Sequence, residues 1–166
     1  GPHFRATVLG ARQRLEEQRQ SLKQRHLSGE PGSQISAAIA ELYDELLLML
    51  WRSAVEELPA AQREQAQGIA LVAHGGYGRR DTAPYSDVDL MLLHPAPQTA
   101  EPLLRRLTRD VFDVGLNFGH SVRTVEQACQ LTEQDATICT SLMESRLLAG
   151  DAALVERFRE RFRILT

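Results

Sequence analysis

Cysteine is scarce in this chain. Its 166 residues include only two, Cys129 and Cys139, with no C-x-x-C pair and no cluster of cysteine and histidine around them. That count excludes a disulfide framework, and a structural zinc site is not expected. The pattern suits a reducing cytosol, and a cytoplasmic location is expected. Long apolar runs are also missing, so no membrane span is expected. Charge of one sign is not in excess: the formal net charge of −3 argues against a protein that coats nucleic acid with its whole surface, while leaving room for a local basic pocket. The opening Gly1-Pro2-His3 lacks the shape of a signal peptide and reads as a remnant of tag cleavage, outside the fold. What is present is ordinary globular material. A hydrophobic share of 43% over this length is enough for one domain with a real core.

The pattern divides near residue 67. Phe4 to His26 reads as a charged helix with Leu9, Leu15 and Leu22 along a thin apolar stripe, as for an arm that is partly exposed or packs on something else. Gly29, Pro31 and Gly32 break it, and Ser33 is placed to cap the next helix. From Ile35 to Leu58 the apolar residues Ile35, Ile39, Leu42, Leu46, Met49 and Leu50 recur at three and four, which predicts a long amphipathic helix ended or restarted at Pro59. Residues 1–66 are thus expected to form a helical arm and residues 67–166 a core. In the core, "GIALVAHGG" predicts a buried strand over 68–76, and "SDVDLMLLHP" a second over 86–95, stopped by Pro95 and Pro97. A helix over 101–114 and a third strand over 115–124 follow. Thr124 or Thr132 is a cap candidate, and the remainder reads as mostly helical, punctuated by Gly150 and with Asp151 placed to cap the last helix. The expected class is α/β of the α+β kind: a small mixed sheet with flanking helices behind an N-terminal arm.

Two features of the core carry chemistry. Residues two apart on a strand point the same way, so Asp87 and Asp89 are expected to project from one face while Val88, Leu90 and Leu92 take the other. Adjacent carboxylates repel, and burying them bare is costly. A divalent cation relieves both problems, and Mg²⁺, or Mn²⁺ in its place, suits one or two carboxylates together with substrate phosphates. Ten residues earlier, Gly75 and Gly76 end the first strand and lead into a short helix at Tyr77-Gly78-Arg79. Bare backbone N–H groups there, helped by a helix dipole, would receive an anion. Gly78 allows another close approach, and Arg79 and Arg80 add positive charge. A lone Gly-Gly is usually a turn and a lone Asp-x-Asp usually solvated; the two together, in this order between apolar strands, point to one nucleotide site with a phosphate half and a metal half. The Gly-Lys-Ser/Thr of a P-loop is absent, as is the glycine spacing of a dinucleotide fold.

Gly-Gly followed by Asp-hydrophobic-Asp on a strand resembles the nucleotidyltransferase superfamily that includes polymerase β. "GGYGRRDTAPYSDVDLMLL", "GLNFGHSVRT" and "TSLMESRLLAGD" more closely resemble the N-terminal transferase domain of the bifunctional uridylyltransferase/uridylyl-removing enzymes, over about 69–151. The resemblance implies a polymerase-β-like nucleotidyltransferase fold. It implies transfer of UMP from UTP to a tyrosine of the nitrogen-signalling protein PII, with pyrophosphate leaving. Gly75 and Gly76 would hold the phosphates, Asp87 and Asp89 the Mg²⁺, and Ser86 would bond a phosphate or cap the turn. The family pattern departs at Asp81-Thr82, where Glu-Leu is usual, and at His74, where a small apolar residue is commoner. Glu144 is the nearest candidate for a third acid, either as a catalytic base or as an ion-pair partner of Arg146 or Arg123. His120 and Arg123 either contact nucleotide or serve the structure. The family continues into an HD hydrolase domain and two glutamine-sensing ACT domains, so the chain is expected to be a fragment of a longer enzyme that could be inactive alone. Two other readings stay open: transfer to a different acceptor (protein, small molecule or, against the charge balance, RNA), and a non-catalytic nucleotide-binding or interaction module.

Overall fold

The computed structural model describes residues 5–80 and 88–165, and among them eight helices and one four-stranded sheet. Ser86 and Asp87 lie outside the described residues. Helix α1 (Ala6–Leu27) buries Val8, Ala11, Leu15 and Leu22, whereas Leu9 stays 41% exposed. Leu15 and Leu22 thus lie on the buried stripe as expected, while Val8 and Ala11, and not Leu9, continue it towards the N-terminus. Helix α2 (Gly32–Glu56) buries ten residues, from Ile35 to Ala54. At about 1.5–3 kcal/mol for each large apolar side chain, it is a principal source of the hydrophobic stabilisation. Ser33 does not cap it. The helix starts two residues earlier, after Pro31, and no side chain caps its N-terminus; proline's fixed φ serves as the entry instead. Pro59 likewise leads into a short α3 (Ala60–Ala66).

Strand β1 (Ala70–Ala73) runs at the centre of the sheet and is buried on both sides. Its last residue is followed by α4 (Gly75–Gly78), so both glycines belong to the turn and not to the strand. Strand β2 (Val88–Leu93) pairs antiparallel with β1, with Ala73 opposite Leu90. Helix α5 (Pro97–Val114) begins four residues before the expected start, and Pro97 suits the first helical position; it continues through Pro102, which lies inside the helix and forgoes one i→i−4 hydrogen bond. Gly115 then ends it with φ 97°, a left-handed stop that glycine adopts freely. Strand β3 (Phe118–Arg123) lies parallel to β2. Thr124, not Thr132, caps α6 (Val125–Gln134), through a reciprocal capping box with Gln127.

The expected helical tail is interrupted. Helix α7 (Ala136–Met143) is followed by a fourth strand, β4 (Arg146–Gly150), which pairs antiparallel with β1, and only then by α8 (Ala152–Leu165). The sheet order is β3-β2-β1-β4. Strand β4 escapes sequence reading because "RLLAG" has no period-two alternation. Its C-terminal Gly150 has φ 95°, and a methyl there would fall 2.1 Å from the Ile69 carbonyl oxygen, so close contact with β1 forces glycine. Asp151 Oδ1 accepts the Ala153 N–H at 2.9 Å, as its capping position predicts.

The sheet is covered on both faces. Val88, Leu90 and Leu92 join the cluster formed with α1, α2 and α5, while Met91 and Leu93 join Val72, Val155 and Phe158 under α6 and α8. The arm helices share one continuous core with the first face of the sheet. Arg5 on the approach to α1, Glu57 at the end of α2, and Asp110 and Arg106 on α5 form an ion-pair cluster around the buried Asp110. Among the described residues no helix is long and apolar enough to cross a membrane.

Candidate active site

By strand alternation Asp89 shares a face with Met91 and Leu93, towards α6 to α8, and Val88 and Leu90 take the opposite face. Two glycines frame its carboxylate. Gly75 has φ 60°, which side chains rarely adopt. A methyl group on it would lie 2.9 Å from Asp89 Oδ2 and 3.2 Å from Ser141 Oγ. Across the parallel pair, Gly119 sits opposite Asp89 in register, and a methyl there would approach Asp89 Oδ1 to 3.5 Å. The β1 turn is tied to the same residue by its main chain, since the His74 N–H donates to the Asp89 carbonyl oxygen at 3.1 Å.

Asp89 is half-buried, yet among the described residues no arginine, lysine or histidine forms an ion pair with its carboxylate. Among the described residues no group of three acidic, histidine or cysteine side chains is placed to hold a metal ion by itself either. A carboxylate without a cationic partner, pressed against bare main chain in a slot that a Cβ would fill, fits an oxygen-ligated divalent cation shared with a ligand's phosphates. The main chain offers donors at that point. The first helical hydrogen bonds of α4 run from the Gly78 N–H to His74 O at 3.0 Å and from the Arg79 N–H to Gly75 O at 3.1 Å. The N–H groups of Gly75 and Gly76 precede that ladder. With only four residues, α4 contributes little dipole, so any anion binding rests on these N–H groups.

Two residues that sequence reasoning did not place in the site complete the slot. His74 Nδ1 lies 2.8 Å from Ser141 Oγ. Burial lowers the His74 pKa from its ordinary value, against the opposing pull of the Asp89 charge and a backbone hydrogen bond, which favours the neutral imidazole. His74 stood out in the sequence as a departure from a small apolar residue. Ser141 had no local signal, because it arrives through the packing of α7 on α4.

Gly78, Arg79, Arg80 and Glu144 gather at the far end of α4, whereas His120 and Arg123 lie on β3. A methyl on Gly78 would fall 2.3 Å from the Glu144 carbonyl oxygen and 3.2 Å from that of Ala73, so Gly78 has a packing role. Arg79 Nε pairs with Glu144 Oε2 at 3.2 Å, both side chains partly exposed. Glu144 is the C-terminal cap of α7; it is an ion-pair partner, but of Arg79 and not of Arg146 or Arg123. Arg80 approaches Asp44 at 3.7 Å. His120 pairs in register with Leu90, which puts it on the face opposite Asp89, stacked at 5.6 Å on Phe118. Arg123 donates to the Val122 carbonyl oxygen at 3.0 Å.

A protein of Aromatoleum aromaticum named "Bifunctional uridylyltransferase/uridylyl-removing enzyme" is 40% identical over 162 residues, covering 96% of this chain and 18% of its own length. Proteins of the same name from Caulobacter vibrioides and Burkholderia orbicola are 36% and 42% identical, over 92% and 75% of the chain. The chain therefore spans less than a fifth of these relatives. The family model described as "Putative nucleotidyltransferase DUF294" matches residues 16–122, a stretch that contains the glycine turn, β2 and Asp89. Because that match covers more than half of its length, the chain belongs to this nucleotidyltransferase family.

Proposed function

We propose that the chain is the transferase part of a longer bacterial cytoplasmic enzyme, with downstream HD and ACT domains, and that it moves UMP from UTP to a tyrosine of PII with Mg²⁺ as its cofactor. The observation that carries the reading is the seat of Asp89 against Gly75, which brings a carboxylate and a bare main-chain cradle to one point. The names of the relatives support uridylyl transfer. In the proposed reaction the tyrosine oxygen loses its proton to solvent and bonds to the α-phosphorus of UTP, the bond from that phosphorus to the α,β-bridging oxygen breaks, and pyrophosphate leaves.

The chain's own residues do three things in this scheme. Gly75 and Gly76 present N–H groups to the phosphates without a side chain to block approach. Asp89, with Asp87 beside it in sequence, would hold the cation, which neutralises charge and aligns the reacting oxygens when bound. Ser141 and neutral His74 line the same slot and fix the position of the turn. Ser86 would serve the phosphate end, and Arg79 would offer charge at the rim with its guanidinium already oriented by Glu144. That pairing favours a structural role for Glu144 over a catalytic base.

Incubating the protein that carries this chain with PII, Mg²⁺ and each radiolabelled nucleoside triphosphate in turn tests the reading. Label is expected on PII from UTP and not, at equal concentration, from ATP, CTP or GTP. Label on another acceptor only would replace PII, and no transfer with any nucleotide would overturn the activity.

A further inference from the structure

A turn built from Gly75, Gly76 and Gly78 has few side chains to hold it. Glycine loses more backbone freedom on ordering than any other residue, so such a turn presents fixed N–H groups only if something outside braces it. The brace comes from two distant parts of the chain. Asp44, on α2, accepts the Tyr77 hydroxyl at 2.5 Å through Oδ1. The same carboxylate takes both arms of the Arg146 guanidinium, Nη1 on Oδ2 and Nη2 on Oδ1, each at 2.8 Å. Arg146, at the start of β4, also donates from Nε to Gly78 O and from Nη2 to Tyr77 O, both at 3.2 Å. Its guanidinium lies 4.9 Å from the centre of the Tyr77 ring. Tyr77 is fully buried, and Tyr43 meets it edge-on at 6.3 Å. Burial first, then the Asp44 charge, pushes the Tyr77 phenol far above its ordinary range, so it remains a hydrogen-bond donor.

We propose that Asp44 and Arg146 are positioning residues for the glycine turn, holding its last two carbonyls so that the Gly75 and Gly76 N–H groups stay aimed at the slot of Asp89. The assignment rests on the nucleotidyl-transfer reading, and it makes the arm helix α2 a working part of the site. The ion pair and the turn form one unit, because the guanidinium that pairs with Asp44 also holds the Tyr77 and Gly78 carbonyls. Here a planar fork satisfies the carboxylate and still has donors left for the turn, which a lysine cannot do.

The test compares Asp44→Asn, Arg146→Lys and the milder Tyr77→Phe in the protein that carries this chain. For the first two, KM for Mg²⁺–UTP is expected to rise about tenfold, with kcat within about twofold. For Tyr77→Phe, which keeps the ring and the guanidinium contact, about threefold is expected. Combining Asp44→Asn with Arg146→Lys should cost little beyond either alone, because both break one unit. Asp110→Asn, in the ion cluster of α5, serves as a control that lowers the melting temperature without moving KM. Folded variants that keep the wild-type KM overturn the assignment, and Tyr77→Phe decides if the other two fail to fold. Failure of the wild-type protein to bind any Mg²⁺–nucleoside triphosphate overturns the nucleotidyl-transfer reading itself, and this assignment with it.

Discussion

Asp89→Ala is expected to lower the proposed uridylyl transfer by about 10³-fold or more while the protein stays folded. Metal-assisted charge stabilisation is worth several kcal/mol in a phosphoryl-type displacement, and each 1.36 kcal/mol is tenfold in rate. Losing one of two carboxylates removes most of it. The fold tolerates the change because the Asp89 side chain has no cationic partner among the described residues, and its neighbours on either side are Gly75 and Gly119. The main-chain bond from the His74 N–H to Asp89 O at 3.1 Å survives the substitution. Circular dichroism should be unchanged and the melting temperature within about 5 °C of wild type, since no buried ion pair is broken. Transfer at the wild-type rate would remove Asp89 from the mechanism.

Gly78→Ala should act in the opposite way, on the fold first. The added methyl would stand 2.3 Å from one backbone carbonyl oxygen and 3.2 Å from another. Neither neighbour can turn aside as a flexible side chain would. Glu144 O belongs to the junction between α7 and β4, Ala73 O to the central strand, and Arg146 Nε holds Gly78 O at 3.2 Å. Overpacking of this severity costs about 3 kcal/mol or more, which lowers the melting temperature by about 10 °C in a chain of this size. Gly10→Ala provides the contrast. A methyl there meets nothing within 4 Å, and alanine gains about 0.8 kcal/mol over glycine inside a helix. Thermal melts of the two variants therefore move in opposite directions. Equal melting of Gly78→Ala and wild type would show that α4 does not pack against the α7–β4 junction.

What could be read in the sequence was what has a short period. The recurrence from Ile35 to Leu50 located α2, and the apolar run before Gly75 located β1. Thr124 and Asp151 cap through contacts two or three residues away, and such local chemistry is visible in a string of letters. The Asp89–Gly75 pairing was legible because an aspartate is awkward inside an apolar strand and a Gly-Gly pair marks a turn that the main chain of a neighbour or ligand can approach closely. Strand β4 was missed because it is half-buried without alternation, and its glycine signals contact with Ile69 rather than a loop. Ser141 and Asp44 were invisible for a different reason. Each reaches the glycine turn through tertiary packing, across 67 residues for Ser141 and His74 and across 33 for Asp44 and Tyr77, and no spacing rule connects them. The partner of Glu144 was misjudged because Arg146, although nearer in sequence, is committed to Asp44.

The central claim is that Asp89 and the Gly75–Gly76 main chain meet on one metal-bridged polyphosphate, and backbone NMR of ¹⁵N-labelled protein tests it most directly. Mg²⁺–UTP should shift the Gly75 and Gly76 amide resonances, Mn²⁺–UTP should broaden them, and Asp89→Ala should abolish both effects at the same concentrations. Unmoved Gly75 and Gly76 amides at saturating Mg²⁺–UTP, or shifts that persist undiminished in Asp89→Ala, would contradict the account.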